Sequence, residues 1–367
     1  MLVFMRTNLR GLRVIVQCGM LLMLLSWQLS ANAMSCLGMQ GQPVDWWVVL
    51  KLPKSADPLK TGDSFLYVDD QMQQFTMFGQ TRGINTADQP IAYTLNQIYT
   101  HSSAINTAGW LIYNDEPTVV SDNLDPQNSD YGHTKGAIGF DQNTGFWLIS
   151  SVPKFPVQAN EQYAYPSSGA EYGQSLLCVS VKSDQIPNIA RQLHYTYPHI
   201  YSKNMPVAWQ SSPNFSDLWQ VMQYQNMQHD PKYSSQTILS AKGQTFTSIA
   251  KSYPQNSQLF YEYVAKFFQQ PLEVETWIRG EAIGPVCNPY VVTDVESVAY
   301  LSYQWKESED HSKWAVGTSS SHPLVCIGDL NRMVSQEARA GGTMCIRSPT
   351  LQKLFYPMVV SHDLCSE

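Results

Sequence analysis

The stretch Gly132-His133-Thr134-Lys135-Gly136-Ala137-Ile138-Gly139-Phe140 places a His-x-Lys motif directly before an apolar run of the strand type. In an extended strand, side chains two residues apart project to the same side. His133 and Lys135 can therefore present an imidazole and an ammonium group together. Runs of Val, Ile, Leu, Trp and Tyr on both sides of this stretch predict further strands, so the motif should lie where an extended strand enters a sheet.

A second motif with the same spacing occurs in Glu309-Asp310-His311-Ser312-Lys313-Trp314, again before a short strand-like run. Phosphodiester cleavage needs a nucleophile, an acid for the leaving oxygen and positive charge on the phosphate oxygens. Two histidines and two lysines supply all three without a metal. A single His-x-Lys arises often by chance, and its ordinary explanation is a solvated loop.

The second motif is followed within about twenty residues by Gly328-Asp329-Leu330-Asn331-Arg332. Asn331 could donate a hydrogen bond to a phosphate oxygen, and Arg332 could bind the same phosphate or pair with Asp329. A plain turn is the alternative, because Gly, Asp and Asn favour turns.

The pattern of apolar residues predicts a fold of the α/β class, with α+β mixed sheets covered by helices. We predict strands at residues 46–52, 64–68, 110–113, 136–140, 146–152, 176–181, 272–278, 314–316 and 324–327. We predict helices at residues 183–193, 246–253, 257–269 and 350–360. Residues 199–230, rich in Pro, Asn, Ser and Gln, divide the chain into halves at 34–200 and 201–367, each with one motif.

The N-terminus predicts a signal peptide over residues 1–33. Arg6, Arg10 and Arg13 precede an apolar run that ends before Ala31-Asn32-Ala33. A membrane anchor is the alternative, but the run is shorter than the roughly 20 residues that a spanning helix needs. We expect export, with no membrane association after cleavage, to the extracellular space, a lysosome or a periplasm according to the organism.

The cysteines favour the same compartment. Cys18 lies in the predicted signal peptide, and six of the seven cysteines remain for three disulfides, whose pairing the spacing leaves open. No Cys or His spacing of the zinc-site type occurs, so we expect neither a metal nor a cofactor.

The net charge of −7 at pH 7 is the wrong sign for a broad nucleic-acid-binding surface, and removing the three arginines brings it to about −10. At a pH of about 5 most of the eight histidines would be protonated. A nucleic acid substrate would therefore require a local basic cleft, an acidic working pH or both.

Motifs along the whole predicted mature chain resemble the deoxyribonuclease II family in the same order. They are Gly41-Gln42-Pro43-Val44-Asp45-Trp46, Tyr113-Asn114-Asp115, Gly132-His133-Thr134-Lys135-Gly136, Gly145-Phe146-Trp147-Leu148, Ser151-Val152-Pro153, Tyr172-Gly173-Gln174, Leu177-Cys178-Val179-Ser180, Glu309-Asp310-His311-Ser312-Lys313-Trp314, Gly328-Asp329 with Asn331-Arg332, and Gly341-Gly342-Thr343. The resemblance extends from about Cys36 to Cys365.

This resemblance implies two phospholipase D-like halves, related by a pseudo-twofold axis, with one motif from each half in a single cleft. His133 and Lys135 would form one half-site, and His311, Lys313 and Asn331 the other. One histidine would form a phosphohistidine and the other would protonate the leaving 5′-oxygen, which leaves 3′-phosphate ends. Nothing in the sequence breaks the symmetry, and we take His133 as nucleophile and His311 as acid.

The resemblance also implies the disulfide pairs Cys36–Cys178, Cys287–Cys365 and Cys326–Cys345. The phospholipase D pattern places Gly-Ser-x-Asn after each motif, whereas Ser150-Ser151 alone follows the first, so the supporting residue of that half-site is unassigned. Lys154 could bind a DNA strand or be an exposed lysine. Asn214-Phe215-Ser216 is a glycosylation sequon, meaningful in a eukaryotic host, and such triplets also occur by chance.

We therefore expect a metal-independent acid endonuclease that cuts double-stranded DNA. Two other classes share these motifs. A phospholipase D-like lipid phosphodiesterase would need an apolar mouth beside the cleft. A catalytically silent secreted binding protein on the same scaffold would not need two intact motifs.

Overall fold

The computed structural model describes residues 33–117, 131–224, 230–254 and 256–365. The predicted signal peptide lies outside these residues except for Ala33. Within the ranges, the strands form a two-stranded hairpin and two large sheets, and helices pack on their outer faces and against the core that the sheets share.

The first sheet has the strand order β10-β6-β7-β8-β9-β3-β4-β5, and every neighbouring pair is antiparallel. The strands of the hairpin and this sheet are β1 Cys36–Leu37, β2 Pro43–Val44, β3 Trp46–Lys51, β4 Phe65–Asp69, β5 Thr76–Phe78, β6 Gly109–Asn114, β7 Lys135–Phe140, β8 Thr144–Ser150, β9 Gln174–Lys182 and β10 Ile200–Asn204.

The second sheet has the order β11-β12-β18-β17-β16-β13-β14-β15, and β19 pairs with β14. One pair, β13 with β14, is parallel, so this sheet is mixed. Its strands are β11 Tyr233–Leu239, β12 Thr245–Lys251, β13 Leu272–Glu275, β14 Val292–Tyr300, β15 Tyr303–Lys306, β16 Trp314–Gly317, β17 Val325–Gly328, β18 Gly341–Ile346 and β19 Val359–His362.

The helices of the described residues cover both sheets. They are Pro90–His101, Ile186–Thr196, Ser216–Tyr224, the π-helix Leu259–Ala265 with its α-helical end Lys266–Phe268, Val334–Glu337 and Pro349–Phe355. Single 3-10 turns occur at Gln80–Arg82, Ser167–Gly169, Ser183–Gln185, Val207–Trp209, Glu307–Glu309 and Tyr356–Met358.

The two sheets share one hydrophobic core. Along β9, Leu177 and Val179 face this shared core, whereas Leu176 and Cys178 face the layer under the helix Pro90–His101. In β17, Ile327 faces the shared core and Cys326 the opposite side. The alternation follows from the two-residue period of a strand. The helices Ile186–Thr196, Ser216–Tyr224 and Pro349–Phe355 also contribute to the shared core of this mixed α/β protein, whereas Pro90–His101 and Leu259–Ala265 cover the opposite faces of the sheets.

Corresponding strands occur in the two sheets. The order β6-β7-β8-β9-β3 in the first sheet matches β13-β16-β17-β18-β12 in the second, with the same chain order and antiparallel pairing throughout. A helix also precedes β6 and β13, and another follows β9 and β18. Each His-x-Lys motif stands at the start of the corresponding strand, β7 or β16.

Several sequence-based predictions of secondary structure are wrong. Residues 246–253 were expected to be a helix, but β12 occupies them between β11 and β18, because β-branched Thr245, Thr247 and Ile249 suit a central strand. The helices Pro90–His101 and Ser216–Tyr224 were not predicted. The first sheet also continues past residue 200, since β10 pairs with β6 as far as Asn204.

Three disulfides connect Cys36 with Cys178, Cys287 with Cys365, and Cys326 with Cys345, the pairs that the family resemblance implies. The first joins β1 to β9. The third joins directly opposite residues of β17 and β18. The second joins the loop between β13 and β14 to the C-terminal segment.

Candidate active site

Each motif is hydrogen-bonded to a segment that precedes a strand of the other sheet. The backbone N–H of His133 donates to the carbonyl of Ala340, and that of His311 donates to the carbonyl of Gly173, both at 2.9 Å. Strand register makes Leu177 of β9 equivalent to Met344 of β18. Gly173 and Ala340, each four residues before these positions, are therefore equivalent as well. Each motif therefore donates its histidine N–H to the equivalent backbone carbonyl beside the other sheet.

Close backbone approach at both contacts requires glycine nearby. A Cβ on Gly173 would lie 2.2 Å from Oδ1 of Asp310, and one on Gly132 would lie 1.8 Å from the carbonyl oxygen of Thr196. Neither position has room for a side chain. Gly132, which precedes the first motif, and Gly173, which accepts the hydrogen bond of the second, thus allow these close backbone contacts.

The first motif contains a compact group of charges. Nζ of Lys135 is 2.5 Å from Oδ1 of Asp115, and Nη2 of Arg339 is 3.1 Å from Oδ2 of the same carboxylate. Nε2 of His133 lies 3.8 Å from Oδ2 of Asp115, and its Nδ1 donates to the carbonyl of Asp329 at 2.5 Å. Asp115 is thus the common anion of one imidazole and two cations.

These contacts determine the protonation of the first motif. Burial alone would raise the pKa of Asp115, but Lys135, His133 and Arg339 hold it below its usual range. Burial, with a contribution from Lys135, lowers the pKa of His133 well below its usual value, and Asp115 opposes that shift. Asp115 therefore remains ionised and raises the pKa of His133, but burial and the neighbouring cations outweigh it.

The second motif has an aromatic environment. The ring of His311 stacks on Tyr172 with centroids 4.7 Å apart and planes 6° apart, and its centroid lies 3.5 Å from that of Trp277. Arg279 lies over Trp277 at 4.8 Å and donates to the hydroxyl of Tyr172 at 3.1 Å. Nε2 of His311 is buried and has no hydrogen-bond partner among the described residues.

The charges around the second motif are cationic. Nζ of Lys313 donates to the carbonyl of His311 at 2.5 Å, and its side chain is 2% exposed. Burial lowers the pKa of His311 to about 2, with further contributions from Lys313, Lys135, Arg279 and Lys51. Burial and then the charge of Lys135 lower the pKa of Lys313 to about 7. The site therefore combines a neutral imidazole with ammonium groups at acid pH.

Asp329 and Asn331 follow β17, and Asp329 contacts the first motif. Oδ1 of Asp329 accepts from the N–H of Gly342 at 2.7 Å, while its carbonyl holds His133. Burial raises the pKa of Asp329 to about 7. Oδ1 of Asn331 is buried and has no partner within the described part of the chain, so this amide is not committed to the fold.

Strand register identifies Ser151 as the counterpart of Asp329 in the first half. Ile149 pairs with Gly136, and Ile327 pairs with Trp314 at the same position of the second motif. Ser151 and Asp329, each two residues later, are therefore equivalent. Oγ of Ser151 accepts from the N–H of Ser175 at 2.9 Å, as Asp329 accepts from Gly342. Ser175 in turn accepts from the N–H of Lys313 at 2.9 Å. Ser151 thus supports the opposite motif through Ser175.

Two predicted substrate-binding residues have different surroundings. Lys154 is exposed, and its N–H donates to the carbonyl of Glu116, next to Asp115. Arg332 is buried in an ion pair with Asp294, at 2.5 Å, and also donates to the carbonyl of Gly284. The structure does not bring Arg332 to the motifs, because these partners direct its guanidinium into the second half.

Replacing Arg332 with methionine is expected to lower the free energy of unfolding by about 3–5 kcal/mol at pH 7.5, because Asp294 loses its buried partner. Urea denaturation measures this loss. The double variant Arg332→Met/Asp294→Asn should recover much of it. Equal stability of the single variant and the wild type would contradict a structural role for Arg332.

The predicted sequon residue Asn214 is partly buried, and its Nδ2 donates to Oγ of Ser183 at 3.1 Å. Because Nδ2 is the atom that would carry a glycan, glycosylation requires this bond to be absent when the sugar is added. No helix in the described ranges is long and apolar enough to cross a membrane.

Sequence reasoning missed Asp115, Arg339, Tyr172, Trp277 and Arg279 as site residues. Asp115 and Tyr172 belong to motifs that carry the family resemblance, and that was the available signal. Trp277, Arg279 and Arg339 had no sequence signal, because strand register and loop packing bring them to the motifs.

Replacing Asp115 with asparagine is expected to lower the pKa of His133 further. The carboxylate is the charge that raises this pKa, and its loss also leaves the charges of Lys135 and Arg339 without compensation. An NMR titration of the histidine ring signals measures the change. Asp184→Asn, at an exposed position, is the matched control. A raised His133 pKa in Asp115→Asn would contradict this electrostatic description.

The fold and the site together define a disulfide-bonded mixed α/β protein with two buried His-x-Lys motifs, an arrangement suited to binding and cleaving a phosphate ester. The family model of deoxyribonuclease II matches residues 35–365. The chain belongs to the deoxyribonuclease II family, and it is a hydrolase of the deoxyribonuclease II type.

Similar proteins cover nearly the whole chain. Deoxyribonuclease-2-alpha of Sus scrofa is 34% identical over 95% of this chain and 95% of its own length. Deoxyribonuclease-2 of Caenorhabditis elegans is 35% identical over 91% of this chain and 94% of its own length. Plancitoxin-1 of Acanthaster planci is 34% identical over 92% of this chain and 94% of its own length.

Proposed function

We propose that this protein is a metal-independent acid endonuclease that hydrolyses phosphodiester bonds of double-stranded DNA and leaves 3′-phosphate ends. The observation that carries the proposal is the reciprocal docking of the two motifs, His133 on Ala340 and His311 on Gly173. This docking supports a single cleft with two imidazoles and two lysines around one phosphate. The names of the deoxyribonuclease-2 relatives support DNA as the substrate.

The cleft divides the chemistry among its residues. One imidazole attacks phosphorus to form a phosphohistidine, and the other protonates the leaving 5′-oxygen and later activates water. Lys135 and Lys313 stabilise the negative charge on the phosphate oxygens, and Asn331 donates a hydrogen bond to the same group. Lys154, exposed beside the first motif, contacts the DNA backbone. Because the contacts are mostly to phosphate, we expect little sequence preference.

The matching strand orders of the two sheets support two phospholipase D-like halves related by a pseudo-twofold axis. A boundary between residues 204 and 233 divides them, because β10 completes the first sheet and β11 opens the second. The reciprocal backbone contacts of the motifs fit such an axis through the site.

Acid pH follows from the charges. With its net charge of −7 at pH 7, the chain repels DNA, and histidine protonation reduces that repulsion. The pKa of Lys313, about 7, also places its ammonium form on the acid side of neutrality. We propose export through the secretory pathway, with an extracellular, lysosomal or periplasmic destination set by the organism, and glycosylation at Asn214 in a eukaryotic host.

Plasmid cleavage tests the proposed function. We expect the purified protein to cut supercoiled plasmid at a pH of about 5 in excess EDTA, and to be much less active at pH 8. Digested oligonucleotides should carry 3′ ends that a phosphatase can dephosphorylate. Cleavage that disappears with EDTA and returns with a divalent cation would contradict the metal-independent mechanism. Turnover of lipid phosphodiesters but not DNA would favour a lipid enzyme.

A further inference from the structure

The two motif histidines differ in the partners of their ring nitrogens. In His133, Nδ1 donates to the carbonyl of Asp329, which leaves Nε2 as the reactive nitrogen. That nitrogen faces Oδ2 of Asp115 at 3.8 Å, too far for a hydrogen bond but close enough for strong attraction to a proton. Burial, Lys135, Arg339 and Lys313 lower the pKa of His133, and Asp115 is the group that raises it. Among the described residues no such carboxylate raises the pKa of His311, so a proton is held more readily on Nε2 of His133 than on His311.

His311 has the opposite surroundings. Its Nε2 is buried without a hydrogen-bond partner among the described residues, and the rings of Tyr172 and Trp277 hold the imidazole in place. Lys313, Lys135, Arg279 and Lys51 all disfavour a positive charge on it. The adjacent Asp310 is engaged elsewhere, since its carboxylate accepts from Nε1 of Trp305 and the N–H of Ser312. His311 therefore keeps a free lone pair.

We propose that His311 is the nucleophile and His133 the general acid, with Asp115 as the positioning residue that holds the proton on His133. This assignment rests on the proposed function, and it reverses the roles expected from the sequence. The asymmetry lies in the side chains around two equivalent backbone positions, since of the two motif imidazoles only that of the first has a carboxylate oxygen of the described residues within 4 Å of a ring nitrogen.

The reaction then proceeds in two balanced steps. Nε2 of His311 attacks phosphorus, a P–N bond forms, and the P–O5′ bond breaks as its electron pair leaves on the 5′-oxygen, which takes the proton from Nε2 of His133. Water next attacks the phosphohistidine and gives one proton to the now neutral His133. The P–N bond breaks with its electron pair returning to His311, and the product carries a 3′-phosphate.

A DNA oligonucleotide with one 5′-bridging phosphorothiolate separates the two roles, because a thiolate leaves without an acid. We expect His133→Ala to lose roughly 10²–10⁴-fold in cleavage of the all-oxygen oligonucleotide. On the sulfur substrate it should release about one thiol per enzyme in a rapid burst, because formation of the phosphohistidine is intact while its hydrolysis is slow. His311→Ala should release no thiol from the sulfur substrate and should not cleave the all-oxygen oligonucleotide.

The covalent site gives a second readout. Peptide mapping of His133→Ala after the burst should locate the phosphoryl group on His311. The exposed-site variant His322→Ala, which should match the wild type on both substrates, controls for histidine removal in general. A thiol burst from His311→Ala but not from His133→Ala, or a phosphoryl group on His133 in the wild type, would overturn the assignment. Wild-type protein that cuts neither substrate would instead contradict the proposed function.

Discussion

Replacing His311 with alanine is expected to reduce plasmid cleavage at pH 5 by at least roughly 10³-fold. This imidazole carries the unpartnered Nε2 of the second motif, and the rings of Tyr172 and Trp277 hold it in place. Alanine offers no nucleophile at this position. The rate of conversion of supercoiled to nicked plasmid, in excess EDTA, measures the loss.

His322→Ala is the matched control, since His322 is exposed and its Nδ1 lies 2.9 Å from Oγ of Ser321. This variant should retain the wild-type rate. Circular dichroism and thermal unfolding should show that His311→Ala is folded. A folded His311→Ala protein with more than a tenth of the wild-type rate would rule out an essential role for this imidazole.

Replacing Lys313 with methionine is expected to lower kcat by roughly 10²–10³-fold at pH 5. Methionine preserves most of the volume of the buried side chain but removes the ammonium group. Because the pKa of Lys313 is about 7, the wild-type side chain is protonated at pH 5 and becomes neutral as the pH rises past 7. The substitution therefore removes a positive charge that is present at the acidic pH of the proposed reaction.

Steady-state cleavage of a fluorescent oligonucleotide duplex separates kcat from KM for this variant. The exposed lysine variant Lys353→Met should leave both constants unchanged. If Lys313→Met raised KM alone, Lys313 would bind the ground state of the substrate and not the transition state. An unchanged kcat would thus contradict the proposed stabilisation of the phosphate oxygens.

Much of the fold could be predicted from local sequence patterns. The runs that became β3, β4 and β6–β9 are dense in β-branched and aromatic residues, and burial on both faces left little ambiguity. The prediction failed at Thr245–Lys251, where a pattern compatible with a helix became a central strand. The neighbouring strands β11 and β18 decide that outcome, and they come from distant parts of the chain.

The second sheet was harder to predict because its long strand β14, Val292–Tyr300, alternates buried and exposed positions irregularly and contains Asp294 and Glu296. The ion pair of Asp294 with Arg332 makes the buried carboxylate tolerable there. That partner lies 38 residues away in sequence, so local patterns carry no trace of the contact.

The sequence by itself determined which groups are available for the chemistry. It contains two His-x-Lys motifs before strands, six cysteines beyond the predicted signal peptide, and the motifs of the deoxyribonuclease II family in order. These features can be recognised from residue type and from spacing along the chain. Spacing within a strand already determines which side chains project to the same side.

Only the tertiary structure decided how the two motifs differ. The sequence motifs are nearly identical, but Asp115 and Arg339 lie beside His133, whereas Tyr172, Trp277 and Arg279 lie beside His311. The protonation of an imidazole depends on the charges and the burial within a few ångströms, and long-range chain packing brings those neighbours together. The division of roles between two equivalent histidines is therefore a property of the folded chain.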